Sequence, residues 1–133
     1  MSKQIIFLSS LIFICLGCAQ TRPGIDPILS DQDGLLRHVV LLGFKADISK
    51  TQIQAIQDSF IRMAEQIEQT YDFEWGTNIS SNNRNQGFTH FFVITFLAQE
   101  DLEQYQVHPI HEQLKADTIP YVEKLLVIDY FKK

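Results

Sequence analysis

Apolar and polar positions alternate from Leu36 to Lys45, with Arg37, Val39, Leu41 and Gly43 on one side and His38, Val40, Leu42 and Phe44 on the other. That period of two predicts a β-strand. The period then changes. Ile53, Ile56, Phe60, Met63, Ala64 and Ile67 form one stripe at helical spacing, so a helix is expected to run to about Thr70. Its start is marked by Ser49 and Gln52, which fit a capping box, and by Ile48 and Ile53, which fit a hydrophobic staple. Alternation returns over Tyr71–Ile79, where Tyr71, Phe73, Trp75 and Ile79 oppose Asp72, Glu74 and Asn78. A wholly polar stretch, Ser80–Gly87, reads as a loop. Phe88–Leu97 is a third strand, with Phe88, Phe92, Ile94 and Phe96 opposed to Phe91, Val93 and Leu97. Gln99–Val107 reads as a short helix that Pro109 interrupts or ends, and Pro109 itself suits the first position of a further helical segment. Pro120 limits that segment, and Leu125–Phe131 is the last strand.

The order β-α-β-β-α-β predicts an α+β, ferredoxin-like fold, the split βαβ arrangement, with the first and third strands central and the second at an edge. Two helices cover only one face of a four-stranded sheet. The other face, with residues such as Phe91 and Val93, is left apolar, and a patch of that kind marks an interface. Packing it against the same face of a second copy is the simplest two-fold solution. A homodimer, a dimeric α/β barrel of two facing sheets, is therefore expected.

The first part of the chain follows a different pattern. Residues 1–18 read as a signal segment: Lys3 supplies the positive start, and Ile5–Leu16 is an apolar run too short to span a membrane of about 20 residues. Two processing routes compete. Leu16-Gly17-Cys18 resembles the end of a bacterial lipobox, with Cys18 lipidated, although Cys15 stands where that motif has Leu. Gly17 and Ala19 also fit ordinary cleavage after Ala19. The lipoprotein route accounts for a cysteine at the end of the apolar core. Residues 19–34, with Pro23, Gly24, Pro27 and Gly34, read as a tether reaching about 20–25 Å as a flexible coil. The folded domain is 35–133. The expectation is an exported, membrane-anchored lipoprotein, or otherwise a secreted protein, touching the membrane through its lipid alone.

Composition narrows the function classes. The 133 residues are 45% hydrophobic and 20% charged, ordinary for one globular domain, and the net charge of −5 opposes nucleic-acid binding, which needs a basic face. Both cysteines, Cys15 and Cys18, lie in the leader, so the domain has neither a disulfide nor a thiol nucleophile. There is no Gly-rich phosphate loop.

The chemistry left is that of imidazole. Tyr105 precedes His111 by six positions, with a proline-broken turn between that lets the two converge. Neutral imidazole suits proton transfer near neutral pH, and a phenol beside it can orient the base or stabilise an enolate. Plainer roles stand beside this one. His108, just before Pro109, suits a cap of the next helical turn, and Tyr105 suits packing with Leu102. His38 and His90 each lie on an apolar strand face, where a histidine is commonly a satisfied core residue. They also lie near the starts of antiparallel strands, toward opposite ends of the sheet. His108 and His111, with Glu112 nearby, have a usable metal-ligand spacing but no second cluster, so no metal site is expected.

The runs Arg37-His38-Val39-Val40-Leu41, Trp75-Gly76, Gly87-Phe88-Thr89-His90, Tyr105 to His111, and Glu123 to Tyr130 resemble the stress-responsive dimeric α/β-barrel (Dabb) family over about Leu36–Lys133. The resemblance implies a dimeric barrel with a pocket between sheet and helices in each subunit. In cyclase-type members, histidine at the position of His111 acts with tyrosine at that of Tyr105 to start an intramolecular aldol closure. Histidines matching His38 and His90 belong to that pocket region. The candidate catalytic residues are His111, Tyr105 and His38, and the candidate pocket residues are Phe60, His90 and His108. Where those members carry a pocket tyrosine on the first helix, this chain has Phe60. No cofactor is implied. The leading expectation is a small, partly apolar ligand bound near His111 and Tyr105. The alternatives are cofactor-independent proton transfer with His111 as base, or a non-catalytic dimer displayed for a protein partner.

Overall fold

The computed structural model describes residues 34–133; the signal segment, Cys18 and the tether up to position 33 lie outside the described residues. The elements run β1 (Leu36–Phe44), α1 (Lys50–Gln66), β2 (Asp72–Thr77), β3 (His90–Phe96), α2 (Gln99–Gln106), α3 (Pro109–Thr118), a 3-10 turn (Ile119–Tyr121) and β4 (Val122–Phe131). The four strands form one antiparallel sheet in the order β2-β3-β1-β4, the ferredoxin-like arrangement with β1 and β3 central.

Local chemistry sets the boundaries. The Ser49 hydroxyl accepts from the Gln52 amide at 3.2 Å while the Gln52 side chain accepts from the Ser49 amide at 3.0 Å, a complete capping box. Helix α1 stops earlier than the expected Thr70: Ile67 turns extended at φ −92°, ψ 112°. The chain then turns over Glu68 and Gln69, closed by the Thr70 amide donating to the Ile67 carbonyl, and the Tyr71 amide joins the sheet through the Thr95 carbonyl. The second helical region is broken in two. Proline removes a donor and pushes the residue before it toward extended backbone, so His108 sits at φ −69°, ψ 134° and Pro109 opens α3.

The helix-facing side of the sheet holds the core. Leu36, Val40 and Leu42 of β1 with Phe92, Ile94 and Phe96 of β3 pack against Ile56, Phe60, Met63, Ile67, Leu102, Tyr105 and Leu114 of the helices. Phe60 stacks on Phe92 with ring centroids 3.8 Å apart.

The opposite side is uncovered within one chain. Cross-strand registers set Glu74, Val93, Val39 and Ile128 in one row and Gly76, Phe91, Leu41 and Leu126 in the next. A third row, Asp72, Thr95, Arg37 and Tyr130, closes this apolar field at one end, where buried Arg37 donates to the Thr95 hydroxyl. At the other end the loop before β3 is drawn down onto β1. Gly87 adopts φ +89°, and a Cβ on Gly43 would lie 2.5 Å from the Gly87 carbonyl oxygen. The Lys124 ammonium donates to the Gln86 carbonyl at 2.6 Å and secures the same loop. The entry to β1 and the exit of β4 are joined as well, Gly34 N–H to Lys132 O at 2.8 Å and Lys132 N–H to Leu35 O at 2.9 Å.

Candidate functional site

Edge strand β4 is exposed along nearly its whole length, and a cavity of about 560 Å³ lies between the helix-facing side of β1 and β4 and helices α2–α3. Helical spacing places His111, Leu114, Lys115 and Thr118 on one stripe of α3, and all four line it. Phe60, Val40, Leu42, Val122, Leu125 and Val127 supply apolar wall, while His38, Tyr105, Gln106 and Glu123 add polar groups.

Of the residues expected from sequence, His111, Tyr105, His38 and Phe60 are brought together here. The Tyr105 ring lies 4.3 Å from that of His111 and 5.7 Å from that of His38, centroid to centroid. His90 and His108 are corrections to the expected pocket set, since neither lines the cavity. Alternation tells which side of a strand a residue faces, not how far along it lies. His90 pairs with Leu42, about 13 Å along β1 from His38. There it packs edge-on to Phe44 at 4.9 Å and shares a 2.9 Å hydrogen bond with the Thr89 hydroxyl. His108 caps α3, its Nδ1 accepting from the Ile110 amide at 3.2 Å.

Hydrogen bonding fixes which ring nitrogen is protonated. A carboxylate and a carbonyl can only accept. His38 therefore donates from Nδ1 to Asp129 at 2.6 Å, and His111 donates from Nδ1 to the Gln106 carbonyl at 3.1 Å. In both rings Nε2 is left as the basic nitrogen when the imidazole is neutral. Burial lowers the His111 pKa below its usual 6.5, outweighing the Gln106 bond, and Lys115 adds to the lowering. His111 is thus neutral at physiological pH. Burial, and secondarily the negative charge of Asp129, raises the Tyr105 phenol well above its usual pKa of 10.0, so it stays a proton donor.

Asp129 is the site residue that sequence reading missed. Its signal was a lone carboxylate at an alternate position shared with Leu125 and Val127, but linking it to His38 needs the β1–β4 register, which pairs the two directly. Among the described residues no group of three or more His, Cys, Asp and Glu side chains is placed to hold a metal ion.

A family model described as the stress responsive A/B barrel domain matches residues 36–132. Olivetolic acid cyclase from Cannabis sativa is 28% identical over 95 residues, covering 71% of this chain and 94% of that protein. The crystal structure of At3g17210 from Arabidopsis thaliana superposes with a TM-score of 0.70 at 33% identity, over 74% of this chain and 95% of that one. A dimeric ferredoxin-like protein from Thermobifida fusca shares the fold with a TM-score of 0.66 at 16% identity, over 75% and 92% of the two chains.

Proposed function

The chain belongs to the stress-responsive A/B barrel domain family, and from that premise we propose that it binds a small, partly apolar molecule in the cavity at His111 and Tyr105. The observation that supports this is the cavity itself. At about 560 Å³ it lies within the range of small-molecule sites, roughly 300–1,000 Å³, and it has their make-up of apolar walls with a few convergent polar groups. n-Octanol titrated into the full chain by calorimetry is expected to bind saturably. Filling the rim with Val127→Trp, at a position 43% exposed and so tolerant of bulk, should weaken binding by about tenfold or more, at least ~1.4 kcal/mol. No saturable binding by the parent protein, or undiminished binding by the variant, contradicts the reading.

A second reading, cofactor-independent proton transfer, is favoured by one specific feature: two imidazoles held through Nδ1, beside a phenol that keeps its proton. The similarity to a protein named as a cyclase agrees with that chemistry. In this reading His111 is the base, Tyr105 donates to the developing enolate oxygen, and Asp129 holds His38 in one tautomer. The assay is exchange of the hydrogens beside the carbonyl of a medium-chain methyl ketone in deuterated water. His111→Gln is expected to slow exchange about 10²-fold while ketone binding is retained. Exchange that is unchanged in the variant removes His111 from the role.

Two further proposals concern how the domain is displayed. The uncovered sheet face supports a homodimer of facing sheets, and Cys18 supports a lipid anchor on an exported chain. Cys18→Ala is expected to move the protein from the membrane fraction to the soluble fraction in cells that process lipoproteins. An unchanged distribution would leave ordinary signal cleavage as the better account.

A further inference from the structure

The cavity is poorly covered along β4. Val40, Leu42, Phe60, Tyr105 and Leu114 of its wall are buried, whereas Leu125 and Val127 are 53% and 43% exposed. Strand β4 is an edge of the sheet, so no strand lies beside its outer flank within the chain. The other edge, β2, carries an open apolar group of its own. Trp75 pairs with Phe92 and so stands on the helix-facing side, yet it is 42% exposed and outside the core cluster.

In a dimer of facing sheets the two-fold axis runs either across the strands or along them. An axis across the strands sets β2 against β2 of the partner subunit. Asp72 and Glu74 of both copies would then crowd one side of the interface, and like charges so placed repel. An axis along the strands reverses the strand order and keeps each cross-strand row at its own level. Asp72 then meets Tyr130 of the partner subunit, whose phenol can donate to it, because the two close the same row. Charge therefore favours the second arrangement, which carries β2 of one copy alongside β4 of the other. One row on the helix-facing side is Trp75, Phe92, Val40 and Val127. Trp75 of the partner subunit accordingly comes level with Val127, at the uncovered flank of the cavity.

We infer that the site is composite: Trp75 of the partner subunit walls the β4 flank of the cavity and packs against the bound molecule. The inference rests on the cavity's being a ligand site and on the dimer of facing sheets. It adds that neither subunit's site is complete alone.

Trp75 is the one tryptophan of the chain, so its fluorescence reports this contact. Within a single chain it lies two strands from β1, about 10 Å from the nearest strand lining the cavity and beyond the reach of a contact quencher. The test titrates a terminally brominated octanol, whose bromine quenches indole on contact, into the full chain and follows its binding in parallel by calorimetry. In the parent dimer, quenching is expected to saturate with the same midpoint as binding. In the monomer made by Val93→Asp, saturable quenching is expected to be lost. Binding without quenching in the parent, or saturable quenching that persists in the monomer, overturns the inference and leaves the cavity reading standing. A Val93→Asp chain that stays dimeric overturns the facing-sheet arrangement and the inference with it. A parent protein that does not bind the alcohol overturns the cavity reading as well.

Discussion

A Val93→Asp variant is expected to elute as a folded monomer where the parent protein elutes as a dimer. Val93 sits in the central row of the uncovered sheet face, between Glu74 on β2 and Val39 on β1. Within one subunit that position is half-buried and has no helix over it, so an aspartate there is tolerated by the monomer. Between two subunits it is different. A carboxylate taken out of water without a partner costs several kcal/mol, and two-fold symmetry places two of them in the same interface. The neighbouring Leu41, Phe91, Leu126 and Ile128 offer no donor, and Arg37 in the next row is already engaged with the Thr95 hydroxyl. The same charge at Ala116, an exposed position of α3, controls for net charge and should leave the dimer intact. Size-exclusion chromatography with light scattering reads the outcome. A Val93→Asp protein that remains dimeric would mean that copies meet through some other surface.

The second large effect is steric. Gly43→Ala is expected to destabilise the domain by about 3 kcal/mol, because its new methyl must displace main chain. The Cβ would stand 2.5 Å from the Gly87 carbonyl oxygen and 3.2 Å from the Lys124 Cβ. Neither neighbour is free to move: Gly87 is committed to a left-handed turn, and Lys124 is bound to the same loop through the Gln86 carbonyl. The comparison is Gly76→Ala on β2, where within one subunit nothing lies within 4 Å of the added Cβ, which faces the uncovered side of the sheet. There the entropy that glycine loses in a strand is partly recovered, and the change should be neutral or stabilising by about 0.5 kcal/mol. Urea unfolding of the two variants would separate the cases, and similar midpoints for both would show that the loop yields.

What the sequence made legible follows the range of each signal. Alternation at Leu36–Lys45 and the capping box at Ser49 depend on neighbours a few residues apart, and both stand in the structure as expected. Pro109 announced the break between α2 and α3 for the same reason. His90 shows the limit. Its apolar strand face was correctly read, and antiparallel strand order already set it toward the other end of the sheet from His38; the β1–β3 register adds how far, four residues along β1. Asp129 was invisible as a site residue because its partner is 91 positions away in the chain.

The seam that joins the two ends of the domain has a mechanical consequence. Gly34 and Lys132 are hydrogen-bonded neighbours, and β1 and β4 run antiparallel away from them. Tension applied between the ends therefore does not load the ladder all at once. It loads the outermost bond, then the next, peeling β4 from β1 as a zipper opens. Peeling from that end releases Phe131 and Tyr130, then Asp129 from His38, and then Val127 and Leu125 of the cavity's strand wall. Pulling on the domain therefore dismantles the β4 wall of its cavity as the seam opens.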